Sequence, residues 1–242
     1  MTMSDMAFSS HGASQTKSGS PALVCHGLPA FDEGGLEAIR LAFQHATPCA
    51  LRQAWLTQEE RDFAPTVVRI GWRGSCFLLF AELSDTDIQS RAMEHNQRLW
   101  ELGDTFELFL QADQGQPYVE FHVSPNNNRL QMRFAGRDAA ERVRIGGSLE
   151  EVIIKVGAFR SMTWVRPELK KWFVYAEIPA GSVCAQAKPL AGCQWRFSFN
   201  RYDYTRGRSE PVISSTSPHA EPDFHRSQEW GIIQFQNQNT KL

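Results

Sequence analysis

Asp104-Thr105-Phe106-Glu107-Leu108-Phe109-Leu110-Gln111 and Tyr118-Val119-Glu120-Phe121-His122-Val123-Ser124 are the two stretches whose reading decides the fold. Side chains along a β-strand point alternately to opposite faces. Phe106, Leu108 and Leu110 therefore share one face of the first stretch, and Thr105, Glu107, Phe109 and Gln111 the other. In the second, Val119, Phe121 and Val123 form the apolar set, and Tyr118, Glu120, His122 and Ser124 the polar set. If the two strands are neighbours, the apolar sets pack inward on a second sheet and Glu107, Glu120 and His122 gather on the opposite face. By pattern alone, that face also reads as the ordinary wet side of an antiparallel sheet.

The same period of two recurs along the chain. Thr66 to Trp72 alternates, Arg73-Gly74-Ser75 makes a turn, and Cys76 to Leu83 returns as the second strand of a hairpin. Further strands are expected at 129–134, 150–156, 171–179, 194–201 and 231–236, with Gly, Pro, Asn and Asp clusters between them. Helical signals are few: 35–45 suits a short helix, and 90–99 reads as a loop with one helical turn. Many antiparallel strands and few helices predict an all-β protein, an antiparallel β-sandwich of jelly-roll or immunoglobulin-like type.

With 42% hydrophobic residues in 242, the chain can build one sizeable core. Neither a repeat nor a long internal linker divides it, so residues 21–236 read as one domain between a Ser/Gly/Thr-rich tail (1–20) and a polar tail (237–242). Net charge is −2 and the basic residues are dispersed, which argues against a nucleic-acid partner. No apolar run has the length of a membrane span, and the N-terminal stretch lacks a secretory signal core. A cytoplasmic location is therefore expected for the chain as written, with an extracellular or periplasmic role as the alternative. The five cysteines form no Cys-x-x-Cys pair and read as reduced thiols.

Two motifs carry the chemistry. Trp100 precedes the Asp104–Gln111 strand, and Glu221-Pro222-Asp223-Phe224-His225-Arg226 precedes Trp230-Gly231 and the last strand. Each sets an aromatic ring on a loop beside a strand bearing polar groups, which suits a flat, hydroxyl-rich ligand such as a sugar. The rings would cover its apolar C–H faces, and the carboxylates would take its hydroxyls. Bond-breaking machinery is scarce: there is no Gly-x-Ser-x-Gly, no phosphate-cradling Gly-rich loop and no zinc-ligand spacing among the seven histidines. Glu107 and Glu120 could form a glycosidase pair. Asp85, Asp87, Asp104 and Asp113 offer oxygen ligands for a structural calcium ion. Asp104 otherwise reads as a loop-capping acid.

The segments Trp100…Asp104-Thr105-Phe106-Glu107, Tyr118–Pro125, Trp195–Arg201 and Pro222-Asp223-Phe224-His225-Arg226…Trp230-Gly231 together resemble the family-9-like carbohydrate-binding modules, relatives of the DOMON group of β-sandwiches. The resemblance runs from about Leu51 to Phe235. It implies a non-catalytic, sugar-binding domain, taking sugar or oligosaccharide ends and associated with polysaccharide breakdown, with a glycoside hydrolase as partner. Trp100 and Phe224 would sandwich the sugar ring, Glu107 would accept from its hydroxyls, and His122 would stand where the best-known pattern has Arg. Glu120 and Arg201 complete the candidate site, Arg201 as a buttress or as the partner of an acid such as Glu177. No cofactor is expected beyond structural calcium. The alternatives are an intrinsic glycoside hydrolase, or a module of the same fold binding a non-sugar ligand, either a protein partner or haem held by His122 with Met93, Met132 or Met162.

Overall fold

The computed structural model describes residues 19–112, 117–154, 157–184 and 190–236. The expected tails therefore lie outside the described residues, except for Gly19 and Ser20. The described residues form twelve strands: β1 (Ala22–His26), β2 (Cys49–Ala50), β3 (Thr66–Arg73), β4 (Cys76–Ser84), β5 (Thr105–Gln111), β6 (Tyr118–Val123), β7 (Arg129–Phe134), β8 (Arg160–Arg166), β9 (Lys171–Pro179), β10 (Gln194–Asp203), β11 (Val212–Ser215) and β12 (Gly231–Gln236). Four short helices accompany them: α1 (Leu36–Ala42), α2 (Leu99–Leu102), α3 (Arg137–Arg144) and α4 (Ala180–Val183). Among the described residues, no helix is long and apolar enough to cross a membrane.

The strands form two sheets. One runs β1-β12-β10-β5-β6-β7, with β11 beside the far end of β10; the other runs β2-β3-β4-β9-β8. Every named pairing is antiparallel except β1 with β12. The expected hairpin is β3–β4, and Gly74 turns it at φ 60°, a left-handed conformation that favours glycine. Phe106, Leu108, Leu110, Val119, Phe121 and Val123 point between the sheets, as alternation requires, and meet Phe77, Leu79, Trp172 and Val174 of the facing sheet. The result is an all-β sandwich.

Each sheet is also covered on its outer face. α1 packs Ile39 and Phe43 on Phe80, Phe173 and Tyr175 of the five-stranded sheet. On the larger sheet, α3 and the segment leading into β12 cover Phe109, Tyr118, Met132 and Phe134. The side of β5 and β6 that could have been a wet face is instead a second, enclosed layer. Glu107, Glu120 and His122 are each only 2% exposed.

Two local expectations fail. Of the strand expected at 150–156, residues 155 and 156 lie outside the described residues, and 150–154 makes no strand: Leu149–Glu151 is a single 3-10 turn, and Ile153 adds one bridge to Met132 at the edge of β7. Pairing with β9 falls instead to Arg160–Arg166, an edge strand without clean alternation. The helical turn expected within 90–99 lies at Leu99–Leu102.

Candidate functional site

Strand register builds the site. β5 and β6 pair Glu107 directly opposite His122, and Glu120 lies two residues before His122 on the same face. Directly opposed side chains start about 4.5–5.5 Å apart, so the three groups must meet. His122 Nδ1 lies 3.1 Å from Glu107 Oε1, and His122 Nε2 lies 3.1 Å from Glu120 Oε2. The line continues from Glu120 Oε1 to His225 Nδ1 at 3.2 Å, and the Tyr118 hydroxyl shares a 2.9 Å hydrogen bond with that nitrogen.

Burial and mutual charge set the ionisation of this row. Burial pushes the Glu107 carboxyl up to about 7, against the attraction of His122 and with the repulsion of Glu120. Burial also opposes a charge on Glu120, yet His225 and His122 hold it below the usual carboxylate range. Burial disfavours an imidazolium at His225, but Glu120 outweighs it and raises the group.

Above these groups lies a cavity of about 100 Å³, walled by Trp100, Phe109, Phe134, Tyr202 and Phe224, with Ala140 and Val143 of α3 on one side. Trp100 is half-buried, edge-on to His122 at 5.6 Å between centroids, with the Arg98 guanidinium 5.6 Å from its ring. Arg98 also donates to the carbonyls of Val143 and Gly147, tying the Trp100 turn to α3. Phe224 is 4% exposed and packs against Phe109, Tyr202 and Trp55. It is a wall of the cavity and part of the apolar layer at once.

The segment carrying Phe224 is firmly anchored. Trp230 Nε1 donates to the Phe224 carbonyl at 2.7 Å, and its ring stands edge-on to Tyr118 and Phe109. Behind it, His219 Nδ1 lies 3.1 Å from Glu229 Oε2, and Arg226 donates twice to the Glu229 carboxylate. From α3, Arg137 bonds Asp223 at 2.7 Å.

Five of the six residues singled out in the sequence thus line one cavity: Trp100, Glu107, Glu120, His122 and Phe224. Arg201 does not. It has the parity of Phe197 and Phe199 and points between the sheets, completely buried. There it donates to Thr66 Oγ1, the Ser84 carbonyl and Asp85, and pairs with Asp203 at 3.1 Å. Its acids are Asp85 and Asp203; Glu177 pairs with Arg160. Tyr202 and His225 join the site instead. Parity would have found Tyr202, which shares a face with Ser198 and Asn200. The motif contained His225, but no spacing marked its role.

The acids read as calcium ligands do converge in part. Asp85, Asp104 and Asp203 bring carboxylate oxygens within 4.8 Å of one another. The guanidinium of Arg201 already lies against two of them, so the donor set does not fit a divalent cation. Asp104 also accepts from the Gln89 and Tyr204 amides, the loop-capping role its position suggested. Asp87 accepts from Arg206, and Asp113 lies outside the described residues. Haem does not fit the cavity. Its volume is far below the roughly 300–1,000 Å³ usual for a cofactor site, and both His122 nitrogens face carboxylates.

A larger hollow of about 600 Å³ lies on the other sheet beside α1, but His26, Asp32, Gln44 and His45, its polar lining, are all exposed side chains. The smaller cavity, with convergent buried polar groups, is the better candidate site.

The two-sheet sandwich is a fold that solved carbohydrate-binding modules share. In particular, the chain has the fold of a family 9 carbohydrate-binding module from Caldicellulosiruptor kristjanssonii. It is 15% identical to that module in its complex with cellotriose (TM-score 0.62, covering 91% of this chain and 96% of the module). The same module in complex with glucose gives 15% identity and a TM-score of 0.63, over 92% and 99%. A protein from Bacteroides uniformis described as a candidate carbohydrate-binding protein is 17% identical, with a TM-score of 0.69 over 90% of this chain and all of that one. No protein-family model and no curated protein sequence matches the chain.

Proposed function

We propose that this protein binds a carbohydrate, non-catalytically, in the cavity between Trp100 and Phe224. The observation that carries the reading is the juxtaposition of aromatic walls with a buried Glu107–His122–Glu120 floor on one sheet face. A pyranose ring has the matching surfaces: apolar C–H faces for the rings and a belt of hydroxyls for the carboxylates. The fold shared with a module seen in complex with glucose and with cellotriose supports the same reading. A small, partly open cavity suits one terminal ring better than the middle of a polymer, and a role beside a glycoside hydrolase in polysaccharide breakdown would use that preference for ends.

The geometry weighs against hydrolysis by the protein itself. A glycosidase holds its two carboxyl groups roughly 5–9.5 Å apart with the scissile bond between them. Here the His122 imidazole occupies the space between Glu107 and Glu120.

Isothermal titration with glucose and cellotriose tests the proposal. Binding in the micromolar to millimolar range is expected after the cost of association, at roughly −8 to −4 kcal/mol. Trp100→Ala should abolish it while leaving the circular dichroism spectrum unchanged. Unaltered affinity in that variant would remove Trp100 from the site.

A further inference from the structure

The cavity floor is rich in hydrogen-bond acceptors. Glu107 makes no hydrogen bond among the described residues, and its contact with His122 Nδ1 at 3.1 Å lacks hydrogen-bond alignment. Glu120 Oε1 is buried and equally unaligned with His225 Nδ1. The one aligned side-chain bond to either carboxylate, among the described residues, joins Glu120 Oε2 to His122 Nε2. Carboxylates buried with so few donors are costly to keep ionised.

The full charges at the rim are spoken for. Arg144 donates two hydrogen bonds to Glu141, and Arg137 donates one to Asp223. His122 and His225 face the two carboxylates with ring nitrogens, and Tyr202 faces them with a hydroxyl. Around this floor stand five aromatic rings, whose π faces attract a cation.

Resting on the carbohydrate reading above, we infer that the ligand is a sugar ring bearing a protonated primary amine. Its ammonium sits against Glu107 and Glu120, and its ring lies between Trp100 and Phe224. A hydroxyl offers a carboxylate one neutral donor; an ammonium offers three, together with the opposite charge. The same ring without the charge leaves the floor short of donors.

The test is titration of the full chain with glucosamine, glucose and N-acetylglucosamine at about pH 6.5, in two buffers of different ionisation heat. Glucosamine should bind roughly 10-fold tighter than either neutral sugar. Its binding should also release a proton from the floor, because an ammonium draws Glu107 into its ionised form. Glu107→Gln should weaken glucosamine more than glucose and remove the proton release. Equal affinity for the three sugars overturns the amine inference and leaves the carbohydrate reading standing. Binding of none of them overturns both. Choline binding as tightly as glucosamine would show a cation site without sugar selectivity, and would also overturn the inference. The wild-type comparison of glucosamine with N-acetylglucosamine decides the matter even if the variant misfolds.

Discussion

Glu107→Gln should make the protein's stability less sensitive to rising pH, by an amount the site geometry sets. In the folded state the Glu107 carboxyl is raised from 4.5 to about 7, first by burial. As pH rises past the unfolded value, the unfolded chain gives up this proton while the folded chain still holds it. Stability therefore falls through this window and levels off above the folded value. Each unit is about 1.4 kcal/mol, so the wild-type protein loses about 3 kcal/mol at this one position by about pH 8. Glutamine does not titrate. The lowered Glu120 and raised His225 are present in both proteins, and to first order their effects cancel in the difference. Urea unfolding of both proteins at about pH 4.5, 6, 7 and 8 should show the variant gaining about 3 kcal/mol on the wild type between the extremes. Parallel stability profiles would mean that Glu107 is not desolvated, and that the floor of the cavity is open to water.

Other substitutions probe the frame. Arg201→Met strands Asp85 and Asp203 in the interior and should cost about 3–5 kcal/mol, read as a lower urea midpoint. Gly103→Ala, at φ 139°, would set a Cβ 2.6 Å from the Gln89 carbonyl and 2.8 Å from Ser90 Cα, both backbone atoms. A loss of about 3 kcal/mol or more is expected, measured by thermal unfolding. Trp230→Phe removes the indole donor to the Phe224 carbonyl. It should cost about 1–3 kcal/mol of stability and weaken sugar binding in titration, because the wall of the cavity loses its anchor.

The alternation of Thr105–Gln111 and Tyr118–Val123 made the sandwich legible, because a period of two has one structural meaning when both apolar sets are large. It also placed Glu107 beside His122, since opposed residues on paired strands must meet. What alternation could not show is what lies over the second face. α3 was missed: its eight residues begin after Gly136 with no side-chain cap, and its buried positions are only Ala140 and Val143. Without α3 and the Phe224 segment, the row of acids and histidines looks wet; with them, it is buried. Arg201 misleads for the opposite reason. Its charge suggests a surface or a ligand, while its position in step with Phe197 and Phe199 assigns it to the interior. The strand expected at 150–156 follows composition, Val-Ile-Ile, where pairing partners decide.

The parallel contact of β1 with β12 joins residues about 210 positions apart, Ala22 beside Ile232. A ribosome adding roughly 5–20 residues per second needs on the order of 10–40 s to cover that interval. Throughout it, the earliest strand waits with an unsatisfied edge, and the Phe224 segment, threaded just ahead of β12, is not yet available. The wall of the cavity is thus completed last during biosynthesis. A nascent chain stalled before Glu221 would lack both the Phe224 segment and β12, leaving the sandwich with an open, sticky border and no wall over the Glu107–Glu120 floor.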